Sequence, residues 1–219
     1  MKKIIIALGV ITPLLTGCGV GHTEYSKEAY KRADLNFVGI PTALGIGTAG
    51  SSVPISPDYS LTAAHVAKMM LYKVKAYHPT CDLALIYHKN HEKSYPVFRD
   101  SERGEEIKMY GYSYMTSMPV ESFGKALGDL IIHNSADNKE PCMLTYATTG
   151  VVSGMSGGPV YNTRDNTRDK TLAGIIHGYT PSVTKPVPGL KERKTVARDV
   201  SLYVPYKNFS AWLKKEMNE

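Results

Sequence analysis

The stretch SGMSGGP, residues 153–159, is unsuited to a helix or to the interior of a strand. It surrounds Ser156 with three glycines and ends at Pro159. Glycine loses the most backbone freedom on folding, so glycines this dense indicate a specific backbone requirement. One interpretation is a flexible turn between two strands. The other is that Ser156 is a nucleophile, and that the glycines let the backbone direct two N–H groups at a reacting carbonyl.

A nucleophilic serine needs a base, and that base needs a group to orient it, and two further stretches offer candidates. LTAAHVAK, residues 61–68, places His65 after a β-prone run and among small alanines. CDLALIY, residues 81–87, puts Asp82 directly before an apolar strand, where a carboxylate can be held. Taken alone, His65 could be a structural histidine and Asp82 a turn residue. Together with Ser156 they favour a Ser-His-Asp site.

The start of the chain has the order of an export signal. MKKIIIALGVITPLLTGC carries two lysines, then an apolar run, then small residues before Cys18. The apolar run is too short to span a bilayer. LTGC, residues 15–18, resembles the lipobox of bacterial lipoproteins, in which the leader is cut before a cysteine that is then acylated. This resemblance implies a signal peptide over residues 1–17 and lipidation of Cys18; an incidental cysteine in a secretory signal is the alternative.

Charge and composition limit the classes of partner. Removal of the leader with its two lysines lowers the formal net charge from +6 to +4. A charge this small and evenly spread argues against nucleic acid as a partner. The polar residues 19–33 are expected to form, with Cys18, a tether (residues 18–33) between the lipid and the domain at residues 34–219.

The predicted leader also determines how the three cysteines are assigned. With Cys18 assigned to lipid, Cys81 and Cys142 remain as an even pair in an exported, oxidising compartment. We expect a disulfide between them, with two buried free thiols as the alternative. No His/Cys cluster has metal-ligand spacing, so we expect no metal and no cofactor.

Short β-prone runs separated by Gly and Pro predict an all-β antiparallel architecture. The final stretch YKNFSAWLKKEM, residues 206–217, predicts a helix because Phe209, Leu213 and Met217 recur at four-residue steps. A short helical turn is expected after TAAH. Residues 180–199, with three prolines and many basic residues, are expected to be a long exposed loop.

TAAH, DLAL, GMSGGPV and LAGIIHG occur in that order and resemble the motifs of trypsin-like serine peptidases of the chymotrypsin fold. The chain order His, Asp, Ser also fits that family. The resemblance implies two antiparallel β-barrels, at about residues 34–100 and 101–205, followed by a C-terminal helix. It implies that the site lies in the cleft between the barrels.

The resemblance also assigns roles. Ser156 would be the nucleophile, His65 the general base and then acid, and Asp82 the group that fixes the imidazole tautomer. The N–H groups of Gly154 and Ser156 would form the oxyanion hole. His65 and Asp82 are closer in sequence than in most of the family, so Asp58 and Asp100 remain spare candidates for the acid. Met155 precludes the ion pair that an aspartate before the serine forms with a new N-terminus in animal digestive members.

Substrate specificity rests on the positions that line the first pocket in this fold, here Gly150 and Val151 and then Ile176–Thr180, including His177, Gly178 and Tyr179. No acidic residue lies at either place, which argues against cleavage after Arg or Lys. His177 is similar in placement to the pocket histidine of glutamyl endopeptidases and of viral proteases that cut after Gln. This implies a lean towards Glu or Gln; a histidine one register away that only supports the site is the alternative.

The sequence therefore predicts a monomeric serine endopeptidase with a polypeptide substrate, held at the membrane of a bacterial cell envelope by lipid on Cys18. Gly19, rather than Asp, after the cysteine favours the outer membrane in a Gram-negative host. A protease fold without turnover, acting as a binding or exclusion factor, is the alternative. The intact set of Ser156, His65 and Asp82 argues against it.

Overall fold

The computed structural model describes residues 19–39, 47–132, 141–163, 171–186 and 192–218. Within these ranges the strands are β1 (Gly19–Val20), β2 (Glu24–Tyr25), β3 (Asp34–Gly39), β4 (Gly47–Pro54), β5 (Tyr59–Thr62), β6 (Val74–Tyr77), β7 (Ala84–Tyr87), β8 (Glu106–Tyr112), β9 (Pro119–Ile132), β10 (Cys142–Ala147), β11 (Val151–Val152), β12 (Pro159–Asn162), β13 (Leu172–Pro186) and β14 (Arg193–Pro205). The helices are α1 (Lys27–Arg32), α2 (Ala64–Met69) and α3 (Tyr206–Met217).

Most of the described strands belong to two antiparallel units, and β1 and β11 form a separate two-stranded pair. The first is a five-stranded sheet in the order β3-β4-β5-β7-β6. In the second, β9, β8, β12, β13, β14 and β10 follow one another, and pairing of β10 with β9 closes them into a barrel. The short strand β2 adds to the outside of β9. With α3 at the end, the predicted all-β, chymotrypsin-like fold class is confirmed.

One hydrophobic core joins the two units. Leu61 and Leu85 of the first sheet belong to the same buried cluster as Tyr110 and Ile175 of the barrel. All four side chains are fully buried. Burial of such side chains contributes about 1.5–3 kcal/mol each. The two units therefore share one buried core.

Residues 19–33 are folded onto the barrel, although the sequence predicts a polar tether there. β1 pairs with β11, and β2 pairs with β9. Ser26 caps α1 by accepting hydrogen bonds from two backbone N–H groups of its first turn. The helix buries mainly Ala29, so it carries too little apolar area to be recognised as amphipathic. The predicted leader and Cys18 lie outside the described residues.

The predicted long loop at residues 180–199 is also wrong where the structure describes it. β13 and β14 continue as a paired ribbon as far as Pro186 and Arg193. Pro181 is accommodated opposite Asp199, which has a positive φ of 49°, between the pairs Thr180↔Val200 and Ser182↔Arg198. Prolines are tolerated in such ribbons because strand edges need no N–H donor at every position.

The C-terminal helix has the predicted bounds. Phe209 and Leu213 are buried on the barrel, and Phe98 packs on Tyr206 with ring centroids 4.8 Å apart. The side chain of Asp100 caps the first turn, since its Oδ1 accepts from the Lys207 N–H at 2.7 Å. Among the described residues, no helix combines the length and the apolar character needed to cross a bilayer.

A disulfide joins Cys81, just before Asp82, to Cys142 at the start of β10. This is the pairing that the sequence predicts. It links the first sheet to the barrel across 61 residues of chain. By the chain-entropy model, closing a loop of this size stabilises the folded state by about 4 kcal/mol. The bond also fixes the segment that carries Asp82.

Candidate active site

His65 lies in the first turn of α2, and Asp82 holds it at two points. The His65 backbone N–H donates to Asp82 Oδ1 at 2.8 Å, and His65 Nδ1 is 2.6 Å from Asp82 Oδ2. Ala63 at the N-cap has no side chain that could satisfy the first-turn N–H groups. Asp82 therefore serves as a remote cap for the helix and as the partner of the imidazole.

The Asp82 carboxyl is ionised at neutral pH. Burial raises its pKa, but hydrogen bonds from His177 and His65 lower it more, and the pKa lies well below its usual range. An ionised carboxylate only accepts hydrogen bonds, so His65 carries its proton on Nδ1. The other ring nitrogen, Nε2, is left free to accept a proton.

Neither spare candidate for the acid reaches His65. Asp58 pairs with Lys89 on the surface, and Asp100 caps α3. Of the three predicted carboxylates, Asp82 is the one that the structure brings to the imidazole. The choice made from the sequence agrees with this geometry.

The glycine-rich stretch forms a tight loop that only glycines can build. Gly154 and Gly157 have φ values of +97° and +85°, in the left-handed region. A Cβ on Gly157 would lie 2.2 Å from the Ser51 carbonyl oxygen, and one on Gly154 would lie 2.5 Å from the Tyr112 carbonyl oxygen. These contacts press the loop that carries Ser156 against strands of both units.

Ser51 of β4 fastens the same loop. Its backbone N–H donates to the Ser156 carbonyl at 2.8 Å, and its Oγ donates to the Gly154 carbonyl at 2.8 Å. These two bonds hold the backbone on both sides of Met155. Across the described residues, the N–H groups of Gly154 and Ser156 bond to no other residue, as an oxyanion hole requires.

Ser156 and His65 line one open cleft of about 390 Å³, together with Thr48, Tyr114 and Gly154. Ser156 Oγ donates to the His177 carbonyl at 3.3 Å. This bond occupies the hydroxyl proton, which an acting nucleophile gives to the base. For catalysis the Ser156 hydroxyl would have to bond to His65 instead.

The structure places His177 against Asp82 and not among the residues that line the cleft, which agrees with the alternative interpretation of a histidine that supports the site. Its Nδ1 is 3.1 Å from Asp82 Oδ2, so the imidazole contacts the carboxylate that also holds His65. A register shift between Ile176 and Gly178 in the β13–β14 pairing places a bulge at this residue. A bulge redirects a side chain, which accounts for this placement.

Two other predicted pocket residues are enclosed. Val151 is 2% exposed and belongs to a core cluster with Met155 and Ile176. At Gly150, a Cβ would lie 2.2 Å from the His22 carbonyl oxygen, so the N-terminal segment covers this position. Neither residue is among those that line the cleft of Ser156 and His65. Gly178 and Tyr179 remain accessible, and no atom lies within 4 Å of the Cβ position of Gly178.

Three residues at the site were not predicted from the sequence: Thr48 and Tyr114, which line the cleft, and Ser51, which holds the loop. All three lie on or beside strands with many small or polar residues, and β4 in particular reads GTAGSSVP. Gly50 is a local signal that β4 packs closely on α2, because a Cβ there would lie 2.5 Å from Val66 of that helix. Close packing of a helix on a strand calls for such a residue.

No family model matches the sequence, and no curated protein is significantly similar. Solved structures do resemble it. The Rv3671c protease from M. tuberculosis, in its active form, superposes with a TM-score of 0.62 at 14% identity over 84% of this chain and 80% of the other.

Two further proteases show the same likeness. The HtrA-type protease AlgW, solved with a tripeptide, has a TM-score of 0.58 at 15% identity over 87% of this chain and 62% of the other. The protease domain of MamO from Magnetospirillum magneticum has a TM-score of 0.53 at 17% identity over 74% and 87%. The chain therefore has the fold of the chymotrypsin-like serine proteases.

Proposed function

We propose that this protein is a serine endopeptidase. The observation that carries the proposal is the contact of His65 with Asp82, in a cleft that His65 shares with Ser156. These are the residue types that acyl transfer by a Ser-His-Asp triad requires, and their chain order is the one found in the chymotrypsin fold. The similarity in fold to proteases is consistent with this chemistry, but the site residues are the reason for proposing it.

The proposed reaction follows from the geometry. Ser156 Oγ attacks the substrate carbonyl while His65 Nε2 takes its proton. Asp82 keeps the Nδ1–H of His65 in place and stabilises the imidazolium that forms. The N–H groups of Gly154 and Ser156 bind the oxyanion, and each such donor lowers the barrier by about 3 kcal/mol. His65 then protonates the leaving amine, and water hydrolyses the acyl-enzyme by the same route.

One observation favours a second candidate function. The Ser156 hydroxyl is bonded to the His177 carbonyl in place of His65. If this arrangement persists when peptide binds, the protein keeps the cleft of a peptidase without turnover and acts as a binding or exclusion factor. Catalytic hydrogen bonds are often loose without substrate, so the first candidate remains the better supported.

The deciding experiment is labelling with a fluorophosphonate, which forms a bond to an activated serine and needs no particular peptide. The wild-type chain should label and should cleave a peptide library, whereas Ser156→Ala should do neither and should unfold at the same denaturant concentration. Loss of one triad member costs about a million-fold in turnover. A wild-type protein that binds peptides but neither labels nor cleaves them would establish the second candidate.

We further propose attachment to a bacterial envelope membrane through lipid on Cys18, with the outer membrane favoured in a Gram-negative host. The support is the lipobox-like LTGC and the leader before it. Because β1 begins at Gly19 and pairs with Val152, an acylated Cys18 would have no free tether. The barrel would then sit directly at the membrane surface, with polypeptide as its substrate and the chain acting as a monomer.

A further inference from the structure

One oxygen of the Asp82 carboxylate serves two imidazoles. His65 Nδ1 from α2 and His177 Nδ1 from β13 lie 2.6 and 3.1 Å from the same Oδ2. We propose that His177 is a positioning residue of the peptidase: its Nδ1–H holds Asp82 against His65, and its charge state sets how strongly His65 accepts a proton. This inference rests on the proposed function above.

The hydrogen bonds at Asp82 define the protonation of both rings. Oδ1 accepts from the His65 backbone N–H, and Oδ2 faces the two Nδ1 atoms. Since the carboxylate only accepts, both imidazoles must carry a proton on Nδ1. In the described part of the chain, the titratable groups that face Asp82 are these two imidazoles, one from each neighbouring element.

The same geometry argues against a cation at this cluster. A metal needs the lone pair of a ring nitrogen, and here both nearby nitrogens act as donors to the carboxylate. No group of three or more His, Cys, Asp or Glu within the described ranges is arranged to hold a metal ion. The role of His177 is therefore one of hydrogen bonding and charge.

Each state of His177 affects His65 differently. With His177 neutral, the cluster of two rings and one carboxylate has one negative charge, which stabilises the His65 imidazolium that forms as Ser156 is deprotonated. With a second proton on His177 Nε2, that negative charge is already balanced, and His65 accepts a proton less readily. The side chains of His65, His177 and Asp82 are 43%, 32% and 22% exposed, so water weakens this interaction, but at contact distance it persists.

Position matters as well as charge. The side chain of Asp82 is 22% exposed and receives donors from α2 on one side and from β13 on the other. Without the donor on β13, the carboxylate can turn away from the orientation that keeps His65 directed at Ser156. A small misplacement of a triad member costs far more rate than stability.

Three variants separate these effects. His177→Asn retains a donor at nearly the Nδ1 position but cannot be charged; His177→Leu has similar volume and no donor. His88→Asn is the matched control, since His88 is a half-exposed histidine 3.6 Å from the carboxylate of Asp34. The quantities to measure are the pH dependence of fluorophosphonate labelling, and kcat and KM for peptides with Glu or Gln before the scissile bond.

His177→Leu should lower kcat about tenfold with KM nearly unchanged, and His177→Asn should restore kcat to within about threefold of wild type. Both should move the acidic limb of the labelling profile to higher pH, because His65 no longer competes with a second imidazole for Asp82. His88→Asn should change neither quantity. A Glu-to-Gln ratio that changes in the His177 variants, with an unmoved acidic limb, would return His177 to the substrate pocket and overturn the proposal.

Nitrogen-15 NMR of the histidines in the purified full chain tests the contact without any reaction. Wild type should show two protected Nδ1–H resonances, and Asp82→Asn should alter both. If wild type labels normally but Asp82→Asn leaves the His177 resonance unchanged, the positioning role is contradicted. The proposed peptidase activity is not affected by that result. Absence of labelling in wild type contradicts the proposed peptidase itself.

Discussion

The hydroxyl of Ser51, on a strand of the first sheet, donates a hydrogen bond to the carbonyl of Gly154, in the glycine loop of the barrel. The same hydroxyl accepts from the Tyr112 N–H at 3.0 Å. One buried side chain thus joins the loop of the proposed nucleophile to both units. Ser51 is fully buried, so it can fix the loop without touching substrate.

Ser51→Ala should therefore loosen the loop and lower stability. It leaves the Gly154 carbonyl and the Tyr112 N–H buried without this partner, which costs about 1–3 kcal/mol of the free energy of unfolding. The rate of fluorophosphonate labelling should fall about tenfold. Urea unfolding and labelling kinetics measure the two effects.

Ser52→Ala is the matched control for this experiment. Ser52 follows on the same strand and is fully buried, and its hydroxyl has no hydrogen-bond partner among the described residues. Its removal should leave stability equal or slightly higher and labelling unchanged. Equal effects of the two substitutions would show that volume at β4, and not the Ser51 hydroxyl, supports the loop.

Asp82→Asn should leave the fold assembled and lower turnover by roughly ten thousand-fold near neutral pH. The amide can donate to His65 Nδ1 and so favours the tautomer whose proton sits on Nε2, the wrong nitrogen for a base. Asp58→Asn and Asp100→Asn are controls, because the structure places these carboxylates at Lys89 and at the start of α3. A larger loss from either control than from Asp82→Asn would show that the wrong acid has been chosen.

The sequence predicted the three motif residues and α3 because their signals are local. A glycine-rich loop and a four-residue apolar repeat can be recognised from neighbouring positions alone. The partner of His177 could not be predicted, because a bulge in the pairing with β14 determines where the imidazole points. The role of Ser51 was equally hidden, since its partners Gly154 and Tyr112 are distant in sequence.

The folded state of residues 19–33 was missed for another reason. This segment is polar, and its packing depends on backbone pairing with β9 and β11 and on one small buried helix face. Neither produces a hydrophobic pattern in the sequence. The β13–β14 ribbon was missed similarly, because prolines and basic residues are typical of loops but are tolerated at the edges of a two-stranded ribbon.

The acid stability of the protein should depend on Asp82. Its pKa in the folded state lies below the unfolded value of about 3.9, so its contribution to stability is present above that value and is lost as pH falls through the folded pKa. The difference in unfolding free energy between wild type and Asp82→Asn should be full at pH 5 and should shrink below pH 4. Urea titrations at a series of pH values measure it. A difference that grows on acidification would contradict the lowered pKa.

The disulfide should stabilise both the fold and the site. The double substitution Cys81→Ser with Cys142→Ser removes the link between the Asp82 segment and β10, and should lower the free energy of unfolding by about 2–5 kcal/mol. Reduction of the wild-type protein should give the same loss, which controls for the serines themselves. Urea midpoints with and without reductant decide this. An unchanged midpoint in both cases would mean that the bond constrains neither state.

The proposed lipid anchor on Cys18 can be tested directly. Mass spectrometry of the mature protein should find an acylated cysteine at residue 18 as the N-terminus, and Cys18→Ser should abolish both the acylation and the cleavage before that residue. Because β1 begins at Gly19, insertion of a flexible Gly/Ser segment between residues 18 and 19 should leave labelling of Ser156 in detergent unchanged. It should, however, alter which membrane-bound polypeptides are cut in intact cells, since it lifts the barrel from the membrane surface. An unmodified N-terminus at any other residue would overturn the lipoprotein assignment. Identical cleavage patterns with and without the insert would show that contact with the membrane does not select the substrate.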